Sequence, residues 1–332
     1  MDRSISAKHV ITQNATLVAA IAIIIAAGIA FDNFFTVVNL SNIFRQASMI
    51  GIMAIGSSFV ILTGGIDLSA GSLFGFAAVM CGIVDAFCPN PFVMGLIAIL
   101  TCAGFGALNG FCVTKLRIPP FIVTLAMMSG VQGLGLIITE GGNTLPITAE
   151  GFTDIATGTI GSVINDKGLE VGVVPVPAII MIVGFVIAVI VSKYTTFGRN
   201  CYAVGGNEDA AIMKGISVNR TKFLAYLMSG ICCGIAGIIV AARTRGGQIT
   251  VGDGYEMDVI ASVVLGGTLL SGGQGKVLNS MWGALIITMI GNIINLNSDV
   301  ISYLWEGTIT GILLLVILVA QSKMQSNKLG AR

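Results

Sequence analysis

The chain has 332 residues, of which 55% are hydrophobic and only 10% are charged, with a net charge of +1 and a mean hydropathy of +0.94. An ordinary soluble domain carries about a quarter charged residues, so this composition excludes one. The balanced charge gives no sign of a nucleic acid partner. The seven cysteines lie mostly inside apolar runs and form no paired C-x-x-C motif, which is typical of small buried side chains rather than of a metal site.

Runs of about 20 apolar residues recur along the whole chain, and each is long enough to cross ~30 Å of hydrocarbon. The sequence therefore predicts an all-α polytopic membrane protein, with residues 1–332 forming a single transmembrane domain. The ten predicted spans are about 15–31, 47–62, 68–87, 92–114, 119–139, 174–191, 223–242, 257–270, 277–296 and 300–320. No cleavage site follows the first run, which favours a span over a signal peptide. The amphipathic residues 32–46 are interpreted as an interfacial helix.

Ten spans place both termini on the same side of the membrane, and that side receives most of the Lys and Arg residues. The opposite side holds only Arg45, Lys167, Arg243 and Arg245. Because positive charge marks cytoplasmic loops, both termini are predicted to be cytoplasmic. The polar loop 140–173 is then periplasmic, and the polar loop 193–222 is cytoplasmic. Re-entrant segments at glycine-rich breaks would change the number of spans but not this charge bias.

A short helix is predicted inside the cytoplasmic loop. Asn207 can cap it, because a short polar side chain there accepts hydrogen bonds from the first free amides. Glu208 and Asp209 place negative charge at the positive end of the helix dipole. Residues 210–213 are fair helix formers, and Gly215 is suited to the residue at which the helix stops. A capped helix between two spans needs a packing partner.

Two glycine-rich breaks interrupt the apolar runs, at residues 64–71 and 266–273, and both fit the pattern G-G-x-x-L-S-x-G. Transporters are often built from two halves on a common plan and work at interrupted helices, so an internal repeat is one interpretation. The alternative is a chance match between short stretches of Gly, Leu and Ser.

Four acidic residues, Asp67, Asp258, Asp299 and Glu306, lie within or beside predicted spans, where ionisable groups usually face a cavity or a partner. No Lys or Arg lies at mid-span to pair with them. Asp67 is expected either to cap the start of span three, ahead of Ser69, or to belong to a transport site. For Glu306 the simpler interpretation is a hydrogen bond between helices or at the interface.

Amide and hydroxyl side chains on the spans either join helices or line a path for a hydroxylated solute. Apolar and aromatic side chains could extend such a path, although packing is the alternative for each of them. The candidate substrate-path residues are Phe121, Thr124, Met128, Asn292 and Asn295.

Catalytic and metal-binding motifs are missing from the sequence. The single histidine, His9, lies in the N-terminal tail, so no imidazole is available for a buried metal or general base. Residues 270–274 spell L-S-G-G-Q, the signature of ABC ATPases, but Val277 follows Lys276 where a P-loop requires Ser or Thr. We interpret the match as coincidence, and we expect neither enzymatic activity nor a cofactor in this chain.

Motifs distributed along nearly the whole chain resemble those of one transporter family. They are Asn33-Phe34-Phe35-Thr36 with Asn39, Gly65-Ile66-Asp67-Leu68-Ser69-Ala70-Gly71-Ser72, Pro120-Phe121-Ile122-Val123-Thr124-Leu125, Ala203-Val204-Gly205-Gly206-Asn207-Glu208-Asp209-Ala210-Ala211, Gly215-Ile216-Ser217-Val218-Asn219, Gly254-Tyr255-Glu256-Met257-Asp258-Val259-Ile260-Ala261, and Val264-Leu265-Gly266-Gly267-Thr268 with Gly272-Gly273. Together they resemble the membrane permease subunit of ribose-type ABC importers, within the superfamily of branched-chain amino acid and sugar permeases. Small departures are Ala70, where Val is common, and Met213-Lys214 before Gly215.

The resemblance implies a fold like that of vitamin B12-type importers, in the bacterial inner membrane. Its implied partners are a second copy or a close paralogue, two cytoplasmic subunits that bind ATP and Mg, and a periplasmic sugar-binding protein. The implied ATPase-docking (coupling) helix includes Asn207, Glu208, Ala210, Ala211, Met213, Gly215 and Ile216. The helix-break motifs contain Gly65, Asp67, Ser69, Gly71, Gly266 and Gly267.

Two functions follow as alternatives. The first is a permease subunit that forms the path for a monosaccharide, such as ribose or a similar pentose or hexose, and depends on a partner ATPase. The second is an ion-coupled secondary transporter or channel that works alone. The charge-poor spans and the capped cytoplasmic helix favour the first.

Overall fold

The computed structural model describes residues 15–31, 33–164, 170–297, 302 and 305–330, so the N-terminal tail and Asp299 lie outside the described residues. This part of the chain folds mainly into helices. The helices are α1 (Ala15–Ala30), α2 (Val37–Leu62), α3 (Ala70–Phe87), α4 (Pro91–Thr114), α5 (Pro120–Ile138), α6 (Asp154–Thr157), α7 (Val176–Tyr194), α8 (Thr196–Gly206), α9 (Glu208–Met213), α10 (Val218–Thr244), α11 (Tyr255–Leu265), α12 (Asn279–Leu296) and α13 (Trp305–Gly330), with a 3₁₀ turn at Ile249–Gly252. The strands are β1 (Leu145–Pro146), β2 (Thr159–Ile164), β3 (Glu170–Pro175) and β4 (Gly246–Gly247).

Seven of the described helices are long and apolar enough to cross a membrane, namely α2, α3, α4, α5, α7, α10 and α12. The apolar parts of α1 and α13, Thr16–Ala30 and Trp305–Val316, are shorter. The prediction of a polytopic helical membrane protein is therefore confirmed, although the four short strands make the fold mostly rather than entirely helical. The number of ten spans stays a prediction.

The centre of the molecule is formed by α10, which packs along α4, α2 and α3. Small residues line these contacts, and a side chain added at Gly56, Gly106 or Gly230 would collide with the backbone of the facing helix. Such close packing is how helices associate when hydrocarbon surrounds them. By contrast, only about a fifth to a third of the residues in the apolar windows of α4, α5 and α7 are buried, and these helices expose large apolar side chains on the outside of this bundle.

The helix predicted at residues 32–46 is not separate from the second span. The structure has one continuous helix, α2, of 26 residues from Val37 to Leu62, which spans about 39 Å. Two polar residues near its start have structural roles, since Asn39 is paired with Asn292 of α12 and Ser41 is buried, whereas Asn42 is exposed. A hydrogen-bond partner on another helix allows a polar side chain such as Asn39 to lie within a membrane span.

The predicted eighth span, at about 257–270, is also built differently. Helix α11 has 11 residues and rises about 16 Å, roughly half of the ~30 Å hydrocarbon thickness. The residues predicted as a polar turn, 243–256, instead run along α3, where the backbone of Ile249 and Gly252 contacts Gly75 and Gly71. The chain therefore follows α3 as a β4 strand and a 3₁₀ turn before α11 begins.

The loop predicted at 140–173 contains α6 and the three strands β1, β2 and β3. Strand β1 pairs with β4 in antiparallel register, Leu145 opposite Gly247, while β2 and β3 form a hairpin. Asp85, near the end of α3, fixes this loop because its carboxylate accepts hydrogen bonds from the amides of Thr148 and Ala149 at 2.8 and 2.9 Å. This end of the molecule lies opposite the end that carries α8 and α9.

Candidate functional site: a capped surface helix, two helix breaks and an acidic cavity

Helix α9 has the caps that the sequence predicts. The Asn207 side chain accepts a hydrogen bond from the amide of Ala210 at 2.8 Å, and Glu208 and Asp209 occupy the first turn. Gly215 has a φ of +76°, a conformation that side chains disfavour, and its amide bonds to the carbonyl of Ile212 at 2.9 Å. The predicted cap and the predicted end of the helix are confirmed.

The two faces of α9 differ from the prediction. Ala211 is only 2% exposed and packs against Val204 and Val218, with Ile216 beside them, so it holds α9 to α8 and α10. Ala211 therefore cannot belong to a docking face. The exposed apolar side chains are Ile212, at 56%, and Met213, at 81%. Glu208 forms an ion pair with Lys222 of α10.

The sequence prediction missed helix α8, which precedes α9 in the same polar loop. Thr195 caps α8 through its hydroxyl, which accepts from the amide of Gly198 at 3.2 Å. Its aromatic residues join it to α2 and to the turn before α12. Phe197 packs on Phe59 with ring centroids 5.4 Å apart, and the Tyr202 hydroxyl donates to the carbonyl of Gly275. The Thr195 cap was a visible signal, but three glycines in eleven residues concealed the helix.

Both glycine-rich breaks end a helix in the same way. The amide of Gly65 bonds to Val60 at the end of α2, and the amide of Thr268 bonds to Val263 at the end of α11. Each turn uses a left-handed glycine, Gly64 with φ +81° and Gly267 with φ +83°, whereas Gly266 has a helical φ of −60°. The shared pattern therefore ends a helix in both places, but the left-handed glycine is the first of the glycine pair in one break and the second in the other.

The two breaks also meet. The amide of Gly273 donates to the carbonyl of Leu62 at 3.0 Å, and Gly205 of α8 lies between the two turns. The L-S-G-G-Q segment is therefore a packed turn whose amides at Gly272 and Gly273 are used within the chain. This geometry offers no cradle for a phosphate and agrees with the interpretation of the motif as coincidence.

Asp67, in the first break, is buried at 2% exposure and has all its acceptor oxygens occupied. One oxygen accepts from the amide and the hydroxyl of Ser69, at 3.0 and 2.6 Å, and the other accepts from the hydroxyl of Ser229 at 2.7 Å. The Asn109 amide in turn donates to the Ser69 hydroxyl at 2.9 Å. Asp67 thus joins the start of α3 to α10 and, through Ser69, to α4. It accepts the amide of Ser69 just before α3, but no side chain at the N-cap position accepts from the first turn of that helix, so the capping interpretation is met only in part.

Close approach explains the last glycine of the first break. A side chain at Gly71 would collide with the carboxylate of Glu256 and the carbonyl of Gly252. The start of α3 and the start of α11 are therefore in contact in the interior of the molecule. The sequence alone gave no sign of this contact, because the two segments are far apart along the chain.

The five predicted substrate-path residues are not brought together by the fold. Asn292 exchanges two hydrogen bonds with Asn39, at 2.7 and 3.2 Å, and Asn295 is exposed. The Thr124 hydroxyl donates to the carbonyls of Pro120 and Ile66, so it connects α5 to the first break. Phe121 is exposed on α5, and Met128 packs against a small apolar cluster around Ile260.

A cavity of about 550 Å³ lies between α2, α11, α12 and α13. Its lining includes Gln46, Met257, Asp258, Thr288, Glu306 and Leu314, and it contains no Lys, Arg or His. Asp253 also lines it, but that carboxylate already accepts a hydrogen bond from Gln132 at 2.9 Å. Within the described residues, no group of three or more His, Cys, Asp or Glu side chains converges as metal ligands would.

Comparison with known proteins identifies the relatives of this chain. Residues 39–318 match the family described as the permease component of branched-chain amino acid transport systems. The ribose import permease protein of Bacillus subtilis (strain 168) is 37% identical over 301 residues, which cover 91% of this chain and 90% of the relative. The ribose import permease protein of Escherichia coli (strain K12) is 37% identical, with 94% of each chain covered. No solved structure matches the chain significantly.

A further relative is the xylose transport system permease protein of Haemophilus influenzae, 32% identical over 95% of this chain and 98% of its own length. These permeases act together with a partner ATPase and are not enzymes themselves. With its apolar helices, the chain is a multi-pass protein of the bacterial inner membrane. The chain belongs to the family of branched-chain amino acid transport system permease components, as the membrane subunit of an ABC importer.

Proposed function

We propose that this chain forms the translocation path for a monosaccharide, ribose or a similar pentose or hexose, in an ATP-driven importer. The relatives named for ribose and xylose support a sugar as the cargo. The structural observation that carries the proposal is α9, a helix of six residues with both ends capped and two exposed apolar side chains. A secondary transporter that works alone has no use for such a helix.

The orientation of the chain follows from charge. Among the described residues, the end with α8 and α9 carries Lys115, Arg117, Lys193, Arg199, Lys214, Arg220, Lys222 and Lys276. The opposite end carries Arg45, Arg243 and Arg245 with most of the acidic residues. Because positive charge is retained in the cytoplasm, we assign α8 and α9 to the cytoplasm and the β2–β3 hairpin to the periplasm, with both termini cytoplasmic.

In this orientation α9 is available to the cytoplasmic ATP-binding subunit, which holds ATP and Mg. Ile212 and Met213 would enter an apolar groove of that subunit, while Ala211 keeps α9 fixed to the permease. A displacement of α9 passes to α8, and from α8 to the end of α2 through the contact of Phe197 with Phe59 and to both helix breaks through the close approach of Gly205. Rigid contacts of this kind allow ATP-driven closure of the partner to switch the packing of the spans.

The substrate path itself is assigned to the contact between two permease copies. Helix α5 contains few polar groups, and it exposes the apolar side chains of Phe121, Ile122 and Leu125 on one side. Such a surface suits either lipid or a second copy, and the resemblance to vitamin B12-type importers favours a dimer with α5 near the path. A periplasmic sugar-binding protein would deliver the substrate to the opposite end.

Uptake of labelled sugar by proteoliposomes tests the proposal. The chain is reconstituted with its ATP-binding and sugar-binding subunits, and uptake is compared for wild type, Met213→Asp and the conservative Met213→Leu. We expect Met213→Asp to lower uptake more than tenfold, because a charge would have to be desolvated in the groove, and Met213→Leu to retain it. Unchanged uptake in Met213→Asp would contradict the docking role. Uptake by the chain without any ATPase would show a secondary transporter instead.

A further inference from the structure

The outer faces of three membrane helices differ in polarity. Along α4, the exposed side chains are Phe92, Leu96, Leu100, Leu108 and Phe111. Along α7 they are Ile182, Val183, Val186, Ile187 and Ile190, followed by Lys193 and Tyr194 at the end of the helix. Both faces are apolar over the length of a span, as contact with lipid requires. The outer face of α5 is different.

Polar groups reach the outside at α5. Ser129 is exposed, and Gln132 follows it by one helical turn, which places both side chains on the same face. The side-chain amide of Gln132 donates to Oδ1 of Asp253 at 2.9 Å, and Asp253 is itself exposed. Asp253 belongs to the segment that runs along α3 before α11 begins. Together, Ser129, Gln132 and Asp253 form a polar band on this face.

The polar band lies at membrane depth. Gln132 is six residues before the end of α5, or about 9 Å along the helix axis. Gly252, next to Asp253, contacts the backbone at Gly71, which is about 24 Å from Phe87 at the end of α3. Both helices end on the side opposite α8 and α9. The band is therefore inside the span and not in a loop at its end.

Lipid cannot cover the polar band without a large cost. A carboxylate exposed to hydrocarbon is expensive, and such groups face a bundle interior or a water-filled space instead. One hydrogen bond from Gln132 leaves most acceptor positions of the Asp253 carboxylate open, and in the described part of the chain no ion pair includes Asp253. Water or a hydroxylated solute must supply the remaining donors.

A purely structural tie accounts for this pair less well. The segment that carries Asp253 is already held to α5 by Ile249, which is 1% exposed and lies against Gly135. The tie at Asp67 is sealed between helices, whereas Gln132 and Asp253 meet at an exposed position. The exposure points to a role on the outer face of the chain.

We propose that the polar band lines a water-filled path between two copies of the chain, and that Asp253 makes this path selective for neutral hydroxylated solutes. The inference rests on the proposed function, which places a second copy against α5. Sugar hydroxyls would donate to Asp253 in place of water, while Ile122 and Leu125 face the C–H surface of the sugar. Two copies would bring two Asp253 carboxylates to one path, and this charge would repel anionic solutes such as sugar phosphates.

Thiol labelling of the complete importer in lipid nanodiscs tests the path. Ser129→Cys is compared with Leu100→Cys, on the apolar face of α4, both in a Cys88→Ser, Cys112→Ser background. The reagents are a cationic and an anionic methanethiosulfonate, which do not enter hydrocarbon. We expect Ser129→Cys to react at least about tenfold faster than Leu100→Cys, and to prefer the cationic reagent. Adding Asp253→Asn should lower the ratio of cationic to anionic rates about fivefold, as expected for one unit charge ~8 Å away in water.

The charge ratio separates a residue that faces the path from one that only joins helices. Asp253→Glu keeps the charge and should retain the ratio, and thermal unfolding shows whether each variant is folded. Equal labelling of Ser129→Cys and Leu100→Cys, or a ratio that Asp253→Asn leaves unchanged, would overturn the inference.

Uptake of labelled sugar by the complete importer tests the contact with the solute. We expect Asp253→Asn to lower uptake about tenfold, because a charged acceptor is lost, and Asp154→Asn, at an exposed position in α6, to leave it unchanged. Wild-type uptake in Asp253→Asn would overturn the sugar contact. Normal wild-type uptake with an unlabelled Ser129→Cys would reject this inference alone. Absent uptake of every monosaccharide, with Ser129→Cys labelled as expected, would reject the proposed function and leave the water-filled path.

Discussion

Two acidic regions in the interior of this chain are built in opposite ways. Around Asp67, three donors from Ser69 and Ser229 occupy both carboxylate oxygens, and the residue is sealed between helices. Around the cavity, the carboxylates of Asp258 and Glu306 have no donor from the described residues, and an open volume separates the walls. The first arrangement joins helices, and the second has unused bonding capacity.

The difference shows why an acidic residue in a membrane span does not by itself mark a transport site. Intramembrane ionisable groups are costly, and the cost is offset either by the protein or by something that the protein binds. Asp67 is an example of the first case, because nothing further can reach its oxygens. Asp258 and Glu306 receive no donor from the described residues, so the protein does not offset their cost in this way.

The largest expected effect is the loss of stability in Asp67→Ala. The substitution leaves the Ser69 amide and the Ser229 hydroxyl buried without an acceptor, at a cost of about 3 kcal/mol. Thermal unfolding in detergent micelles measures it, and Asp209→Ala, at an exposed position on α9, is the control. If Asp67→Ala unfolded like the control, the contrast between the two regions would be wrong.

Substitution of the acidic residues that line the cavity should have the opposite effect on stability. Asp258→Asn and Glu306→Gln remove charges that the protein does not pair, so we expect no loss and a gain of up to about 1 kcal/mol. Thermal unfolding under the same conditions measures the change. A loss of stability as large as that of Asp67→Ala would show that these carboxylates join helices, and would remove the contrast.

The sequence predicts features that depend on near neighbours and misses those that depend on distant ones. The Asn207 cap, the end of α9 at Gly215 and the hydrogen bond of Asp67 with the nearby Ser69 amide are local, and the structure contains all three. The burial of Ala211 depends on Val204 and Val218 in neighbouring helices, and that contact is not visible in a helix pattern.

The two errors in the fold have the same origin. Asn39 near the start of α2 looked interfacial because its partner, Asn292, lies on α12. Hydropathy also placed a full span at 257–270, since it detects apolar residues but not the contact of the preceding segment with Gly71 and Gly75 of α3. The cavity was missed likewise, because only tertiary structure brings Asp258 of α11 near Glu306 of α13.

The hydrogen-bonded pair of Asn39 and Asn292 joins two helices as the Asp67 network does, but without a charge. Its loss should therefore cost less free energy of unfolding. Each amide is both donor and acceptor, so removing either one leaves the other unsatisfied. In a double-mutant cycle with Asn39→Ala and Asn292→Ala, we expect a coupling of about 0.6–1.7 kcal/mol, as for hydrogen bonds between membrane helices. Uptake per folded transporter should not change, whereas a specific loss of uptake would restore Asn292 to the substrate path.

The smallest effect is expected at the ion pair between Lys222 and Glu208. The Glu208 side chain is half exposed, so water competes for both charges, and Lys222→Ala should cost no more than about 0.5 kcal/mol. The cost should decrease further in high salt, which screens exposed charges but not the buried network at Asp67. Unfolding measured at low and high salt tests this difference. A salt-independent cost as large as that of Asp67→Ala would mean that this ion pair attaches α9 to the rest of the chain. It would contradict the view that the burial of Ala211 attaches α9 and leaves Met213 exposed for docking.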